Sequence, residues 1–326
     1  MVSPQCMAAV GLLTTRGKPQ GVAFISKDAG AKWTKVQLKE FGRSLFLLTD
    51  RLGWMVTEGG IWRTGDCGAT WEKVSREKNL TRIHFLDENR GFAAGAPKKA
   101  LETSDGGRTW KKIPAADEIK SDAERSVFTW VDFITRDAGF FIGWHEPRRW
   151  HTGPPAWMDP EDARYKRQLP SLRLMLQTLD GGKTWRPSAS SIFGRITRLH
   201  TLPTGRGIAL VEFEKVFRYP SEVFEVDLPG NKSTSAFRDS TRAITDVTIN
   251  SRGVAYLAGY ETPGGEIRLP IPGKLKVLRS TDMNHWEEML VDYRAIASRA
   301  LVATATDGPT LVATDTGMIL RLTQTP

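Results

Sequence analysis

Apolar residues along this chain fall in short runs, many of them alternating with polar positions and bounded by Gly, Pro, Asn, Asp or Ser. VAFIS, GIWRT, KALET and LRLMLQT read as strands, and TWEKV and TWKKI alternate as half-buried strands do. The runs group into units. SLFLLTD, GWMVTEG, GIWRT and TWEKV form one, and TRIHFLD, GFAAGA, KALET and TWKKI the next. A later unit holds VDFITRD and GFFIGW, then a long interruption before LRLMLQT. Further units run through RLHTLP, GIALVEF and EVFEVDL, through ITDVTIN, GVAYLAGY, KVLRS and WEEML, and finally through ALVATAT, TLVATDT and MILRLTQ.

An octet recurs between the third and fourth strands of these units. It reads Ser26-Lys-Asp28-Ala-Gly30-Ala-Lys-Trp33, Thr64-Gly-Asp66-Cys-Gly68-Ala-Thr-Trp71, Thr103-Ser-Asp105-Gly-Gly107-Arg-Thr-Trp110 and Thr178-Leu-Asp180-Gly-Gly182-Lys-Thr-Trp185. Ser280-Thr-Asp282-Met-Asn284-His-Trp286 is a shortened copy, and a fifth unit keeps only Asp227 and Gly230. The octet suits a tight turn. Its Asp accepts backbone N–H bonds, its hydroxyl adds a local bond, its Gly supplies positive φ and its Trp covers the hairpin. Trp33, Trp71 and Trp110 are about forty residues apart, the length of one propeller blade. The expectation is therefore an all-β chain: a single β-propeller domain over 1–326, with about seven four-stranded blades and the octets as c–d turns. The first unit starts at strand b (CMAAVGLLT) and the last stops at strand c. Ring closure is expected to need a blade shared by the two ends, with residues 1–5 or a segment further upstream taking part.

These octets resemble the Asp-boxes, or bacterial neuraminidase repeats, of sialidases, some endoglucanases, sortilin-like receptors and photosystem II stability/assembly factors. The short blades and T-x-D-G-G-x-T-W turns are most similar to the assembly-factor family. That resemblance implies a non-enzymatic scaffold holding a client protein. It also implies that the octets lie away from the working face, so Asp28, Asp66, Asp105 and Asp180, with Trp33, Trp71, Trp110 and Trp185, are assigned structural roles.

Antiparallel connectivity puts b–c and d–a connections on one face, and a–b and c–d connections, including the octets, on the other. Insertions at 145–172 and 261–273 both separate strand b from strand c. They emerge opposite the octets, together with d–a loops at 113–128 and 187–198. Long loops on a rigid scaffold carry function. The first insertion contains His145, Arg148, Arg149, Trp150, Trp157, Arg164, Tyr165 and Arg167, the residue types that binding hot spots favour. Arg268, Lys98 and Lys99 are expected to extend a basic rim.

A net charge of +9 fits a protein partner with an acidic or mixed surface. No recognisable nucleic-acid motif accompanies it, and no apolar run is long enough to span a membrane. Cys6 and Cys67 have no metal-type spacing, which leaves one disulfide or two free thiols. The sequence as it stands reads as cytoplasmic, whereas removal of a leader would make the protein periplasmic or otherwise exported. No cofactor is expected. His145 and His151, with Asp159 or Glu161, have a spacing that fixes no metal geometry, so no metal site is assigned.

Three alternatives stand beside the scaffold. An immunity-type inhibitor would use the same rigid face to block a toxin, and a glycan-binding module would use its tryptophans. A sialidase-like hydrolase would need an Arg-Ile-Pro motif, but the nearest string, Phe193-Gly-Arg195-Ile-Thr197, lacks the proline and falls mid-chain.

Overall fold

The structure is a computed structural model that describes residues 3, 5–146, 170–213, 219–230, 232–261, 272–305 and 308–322. It is a seven-bladed β-propeller. Blade 1 comprises β1 (Met7–Thr15), β2 (Lys18–Ser26) and β3 (Thr34–Gln37). Blade 2 holds β4 (Gly42–Leu47), β5 (Gly53–Thr57), β6 (Ile61–Thr64) and β7 (Glu72–Ser75), and blade 3 holds β8 (Leu80–Phe85), β9 (Gly91–Gly95), β10 (Lys99–Thr103) and β11 (Lys111–Lys112). The short helix α1 (Ala115–Glu118) leads to blade 4: β12 (Ser126–Phe133), β13 (Gly139–His145), β14 (Ser171–Thr178) and β15 (Arg186–Ile192). Blade 5 is β16 (Arg195–Thr201), β17 (Arg206–Glu212), β18 (Ser221–Asp227) and β19 (Lys232–Arg238). In blade 6, β20 (Arg242–Ile249), β21 (Ala255–Glu261), β22 (Gly273–Ser280) and β23 (Glu287–Glu288) are joined by β24 (Ile296–Ala297), which pairs with β22. Blade 7 ends the chain with β25 (Ala300–Thr304), β26 (Thr310–Thr314) and β27 (Ile319–Leu322).

Each blade is antiparallel and buries its faces against its neighbours. The Trp54 ring of blade 2 stacks on Phe85 of blade 3 at 3.6 Å, and Phe92 of blade 3 meets Trp185 of blade 4 edge-on at 5.6 Å. An isolated blade would leave both faces in water, so the ring itself provides the core.

The octets form the c–d turns as predicted. In each full copy the Ser or Thr hydroxyl donates to its Asp at 2.8 Å. The same hydroxyl accepts the octet Gly N–H, at 2.8 Å in three copies and 3.1 Å at Gly107. The Asp carboxylate in turn accepts the backbone N–H of Lys32, Thr70, Thr109 or Thr184. Both the residue after Asp and the following Gly have positive φ, which Cys67 (φ 64°) and Ala29 (φ 59°) adopt without being glycine.

The turn also grips the preceding blade. A methyl group on Gly182 would meet Phe92 of blade 3 at 2.6 Å, and one on Gly30 would meet Leu311 of blade 7 at 3.3 Å. Trp54 Nε1 of blade 2 donates to Gly106 O in the blade 3 octet at 2.9 Å. At the corresponding octet position of blade 2, Cys67 is joined to Cys6 of blade 1 by a disulfide, which resolves the choice left open by the sequence.

Two expectations need correction. Among the described residues the ends do not share a blade: β1 to β3 and β25 to β27 form separate three-stranded sheets, which meet through contacts such as Gly30 with Leu311. Residues 187–198 are not a loop, because β15 and β16 occupy nearly all of that range and leave only Phe193 and Gly194 between them.

The disulfide spans a sequence separation of 61 residues. Closing a loop of that size in the unfolded chain is worth about 4 kcal/mol. Reduction, or the Cys6→Ser/Cys67→Ser double variant, should therefore lower the urea midpoint accordingly. An unchanged midpoint would mean that blades 1 and 2 hold together without the bond.

Candidate functional site

The innermost strands share a local device. In β4, β8, β12, β16 and β20 the pairing with strand b skips one residue, at Arg43, Thr81, Thr129, Thr197 and Thr245. Such a bulge twists the strand and re-aims the next side chain. Here it aims Ser44, Arg82, Trp130, Arg198 and Asp246 at the axis, where they line a channel cavity of about 420 Å³ with Val302 of β25 and Ala8 of β1.

These side chains form a belt across the blades. Arg82 stacks on Trp130 at 3.4 Å, and its Nε donates to Val131 O at 3.2 Å. Arg198 Nε donates to Asp246 Oδ1 at 2.6 Å, and Asp246 Oδ2 accepts Val302 N–H at 2.8 Å. Bulge threonines add links: Thr81 Oγ1 donates to Phe128 O, and Thr245 Oγ1 donates to Ala300 O.

Further along the same strands, His84 Nδ1 lies 3.0 Å from Asp132 Oδ1, and His200 packs edge-on to Trp130 at 5.2 Å. Burial alone would raise the Asp132 carboxyl, but His84 and Arg82 hold it at about 2. Desolvation pulls His200 down to about 4, with Asp132 opposing and Arg82 reinforcing the shift.

The sequence contains this belt as Leu80-Thr81-Arg82-Ile83, Phe128-Thr129-Trp130-Val131, Ile196-Thr197-Arg198-Leu199 and Ile244-Thr245-Asp246-Val247, a second repeat that sequence reasoning missed. The shared Thr between apolar residues is the signal that would have found it.

The opposite end of the scaffold is a loop face. β13 ends at His145 before β14 begins at Ser171, β17 ends at Glu212 before β18 begins at Ser221, and β21 ends at Glu261 before β22 begins at Gly273. In three successive blades, 4, 5 and 6, strand b thus ends and strand c begins at the end of the blade away from the octet, and most residues between them lie outside the described ones. The blade 5 connection was not singled out from the sequence. At the base of the blade 4 connection, the Arg195 guanidinium lies 4.0 Å above the Trp144 ring and donates to Glu146 Oε1 at 2.8 Å.

Of the predicted partner-binding residues, Arg148, Arg149, Trp150, Trp157, Arg164, Tyr165, Arg167 and Arg268 lie outside the described residues. His145 is placed, its Nδ1 lying 3.1 Å from Ser126 Oγ. Lys99 is paired with Glu77 and donates to Lys78 O at 2.8 Å. Lys98 is not a rim cation. It is only 3% exposed and its ammonium donates to Ile119 O at 2.5 Å, satisfying a carbonyl in the α1 connection, while burial pushes its pKa down. Among the described residues no group of His, Cys, Asp and Glu could hold a metal, and no helix is long and apolar enough to cross a membrane.

Comparison with known proteins agrees with this architecture. Residues 71–148 match the family described as photosynthesis system II assembly factor YCF48. Over 56 residues the chain is 39% identical to the photosystem II assembly lipoprotein Ycf48 of Prochlorococcus marinus, a match covering 15% of this chain and 16% of that protein. The solved structure of YCF48 bound to D1 peptide superposes with a TM-score of 0.60 at 15% identity, over 98% of this chain and 94% of that one. The chain is an assembly-factor-like β-propeller. The propeller domain of the Trilobed protease from Pyrococcus furiosus, whose structure revealed an open velcro topology, superposes over 100% of this chain and 97% of its own at TM-score 0.55 and 11% identity.

The belt makes stability acid-sensitive in two windows. His200 titrates lower in the folded chain than its ordinary 6.5, so the unfolded state takes up the proton first and stability falls as pH drops from about 6.5 towards about 4. Asp132, held below its ordinary 3.8, adds a further loss as pH falls from about 4 towards about 2. Urea unfolding across this range should show both slopes in the wild type. His200→Gln should flatten only the upper one, and an unchanged upper slope would remove His200 from the account.

Proposed function

We propose that this propeller is a non-enzymatic scaffold that grips a partner protein on the face opposite the octets. The observation that supports the reading is that in three adjacent blades strand b ends and strand c begins on that face, with many residues between them in the sequence. The blade 4 connection supplies Arg148, Arg149, Trp150, Trp157, Arg164, Tyr165 and Arg167, and the blade 6 connection supplies Arg268. Arginine and tryptophan combine planar charged hydrogen bonding with large contact area at low entropic cost, which suits a protein surface carrying carboxylates.

The assembly-factor likeness supports this reading, as does the capture of a D1 peptide by a YCF48 of similar fold. The belt supports it differently. Groups that tie strand a of one blade to the next keep the channel wall rigid, so the loops are presented without an ordering cost in the scaffold. The Cys6–Cys67 disulfide favours an oxidising compartment as the place of action.

Affinity capture from the source organism, read by mass spectrometry, tests the proposal by comparing the wild type with Arg148→Ala/Arg149→Ala/Trp150→Ala. One stoichiometric protein partner is expected with the wild type, and its recovery should fall by about tenfold or more in the variant. Equal recovery from both proteins would move the site off this connection, and turnover of a glycan by the wild type would overturn the scaffold reading.

A further inference from the structure

Strands b and c of blade 1 outrun those of its neighbours. Counted from the octet end, β1 and β2 stay paired over nine residues, from Met7↔Ser26 to Thr15↔Lys18, against four such pairs in blade 2 and five in blade 3. The hairpin therefore stands four or more residues taller on the face opposite the octets, about 13 Å at the ordinary rise of a strand. On either side of it the b–c connections of blades 2 and 7 are short turns, at 58–60 and 315–318, so no long connection of an adjoining blade stands beside the tip. A methyl group on Gly17 would meet nothing within 4 Å.

Two residues close the tip, Arg16 at φ 51° and Gly17 at φ 76°. Positive φ at both central positions is the type I′ pattern, which asparagine followed by glycine fills best. The Cβ of an arginine opposes that conformation. Lys98, the other cation held at positive φ (44°), has an internal use for it, since its ammonium donates to Ile119 O. Arg16 has none. Its side chain is exposed, and among the described residues its guanidinium makes no hydrogen bond or ion pair; the same holds for the ammonium of Lys18. Residues 1–27 contain neither Asp nor Glu, so the hairpin carries only positive charge. Across the junction with blade 2, Glu40 is held by Lys73 and Glu58 by Arg43.

We propose that this hairpin tip is a contact point for an acidic segment of the partner polypeptide, whose carboxylates are received by Arg16 and Lys18. The proposal rests on the reading that this face grips a protein, and it adds a described element of blade 1 to the connections of blades 4 to 6. A strained residue that nothing inside the molecule uses points to a use outside it. The guanidinium can take a carboxylate through two parallel N–H···O bonds, which the asparagine favoured by the turn could not supply with the same charge.

Fluorescein-labelled hexaglutamate tests the tip without a captured partner. At low ionic strength, fluorescence anisotropy should show saturable binding to the wild type, weakened about fivefold in Arg16→Asn/Lys18→Gln. Lys27→Gln/Lys32→Gln removes the same charge from the octet turn of the same blade and should bind as the wild type does. Arg16→Asn alone should raise the urea midpoint, because asparagine suits the turn better. Since the assay uses only the purified chain, a positive result beside a failed affinity capture would leave the acidic-segment site standing and remove the scaffold reading alone. Absence of saturable binding, equal weakening in the octet-turn variant, tighter binding of hexauridylate than of hexaglutamate, or an unraised midpoint in Arg16→Asn would each overturn the proposal.

Discussion

A single hydroxyl in each octet holds two things together. By accepting the Gly N–H and donating to the Asp, the Ser or Thr at the start of the turn fixes two consecutive residues at positive φ. That shape closes the c–d hairpin and also presses the bare face of the glycine into the blade before it. In blade 4 the neighbour is Phe92, and in blade 1 it is Leu311 across the junction of the two chain ends. Blade 2 makes the same contact covalent through Cys67. The repeat therefore encodes the joint between blades as well as the blade, which is why a ring forms even though, among the described residues, no sheet contains both ends of the chain.

With the blades latched at the octet end, the inner strands complete the ring at the channel. There the bulges place charged and aromatic side chains where each reaches the next blade: Arg82 to Val131 and Trp130, and Arg198 to Asp246 and through it to Val302. Buried pairs of this kind add little net stability, but losing one partner is costly, so the belt specifies how the blades are arranged more than how tightly they hold. The octet turns and the channel wall are then both committed to structure. The proposed partner site therefore falls at the other end of blades 4, 5 and 6, where strand b gives way to strand c.

Much of this was legible in the sequence because it is local. The octet writes its hydrogen bonds within eight residues, so the turn and the blade length could be read directly. What failed to read was non-local. The fate of Cys6 depends on blade 1 lying beside the blade 2 octet. Lys98 looks like a rim cation until the α1 connection folds over it and offers the carbonyl of Ile119. The Thr-centred belt motif is visible in four copies, but its meaning appears only once the strands stand around one axis. The range 187–198 read as a loop because RPSASSI is polar. That segment is strand d of blade 4, the outermost, and its polarity is what solvent exposure selects.

The central claim is that the octet face is structural and the opposite face engages the partner. Hydrogen–deuterium exchange on the protein with and without its captured partner tests this most directly. Protection should appear in the b–c connections of blades 4, 5 and 6 and around Trp144 and Arg195, while the turns at Asp28, Asp66, Asp105 and Asp180 exchange equally in both states. Protection centred on those turns, with the b–c connections unchanged, would contradict the account.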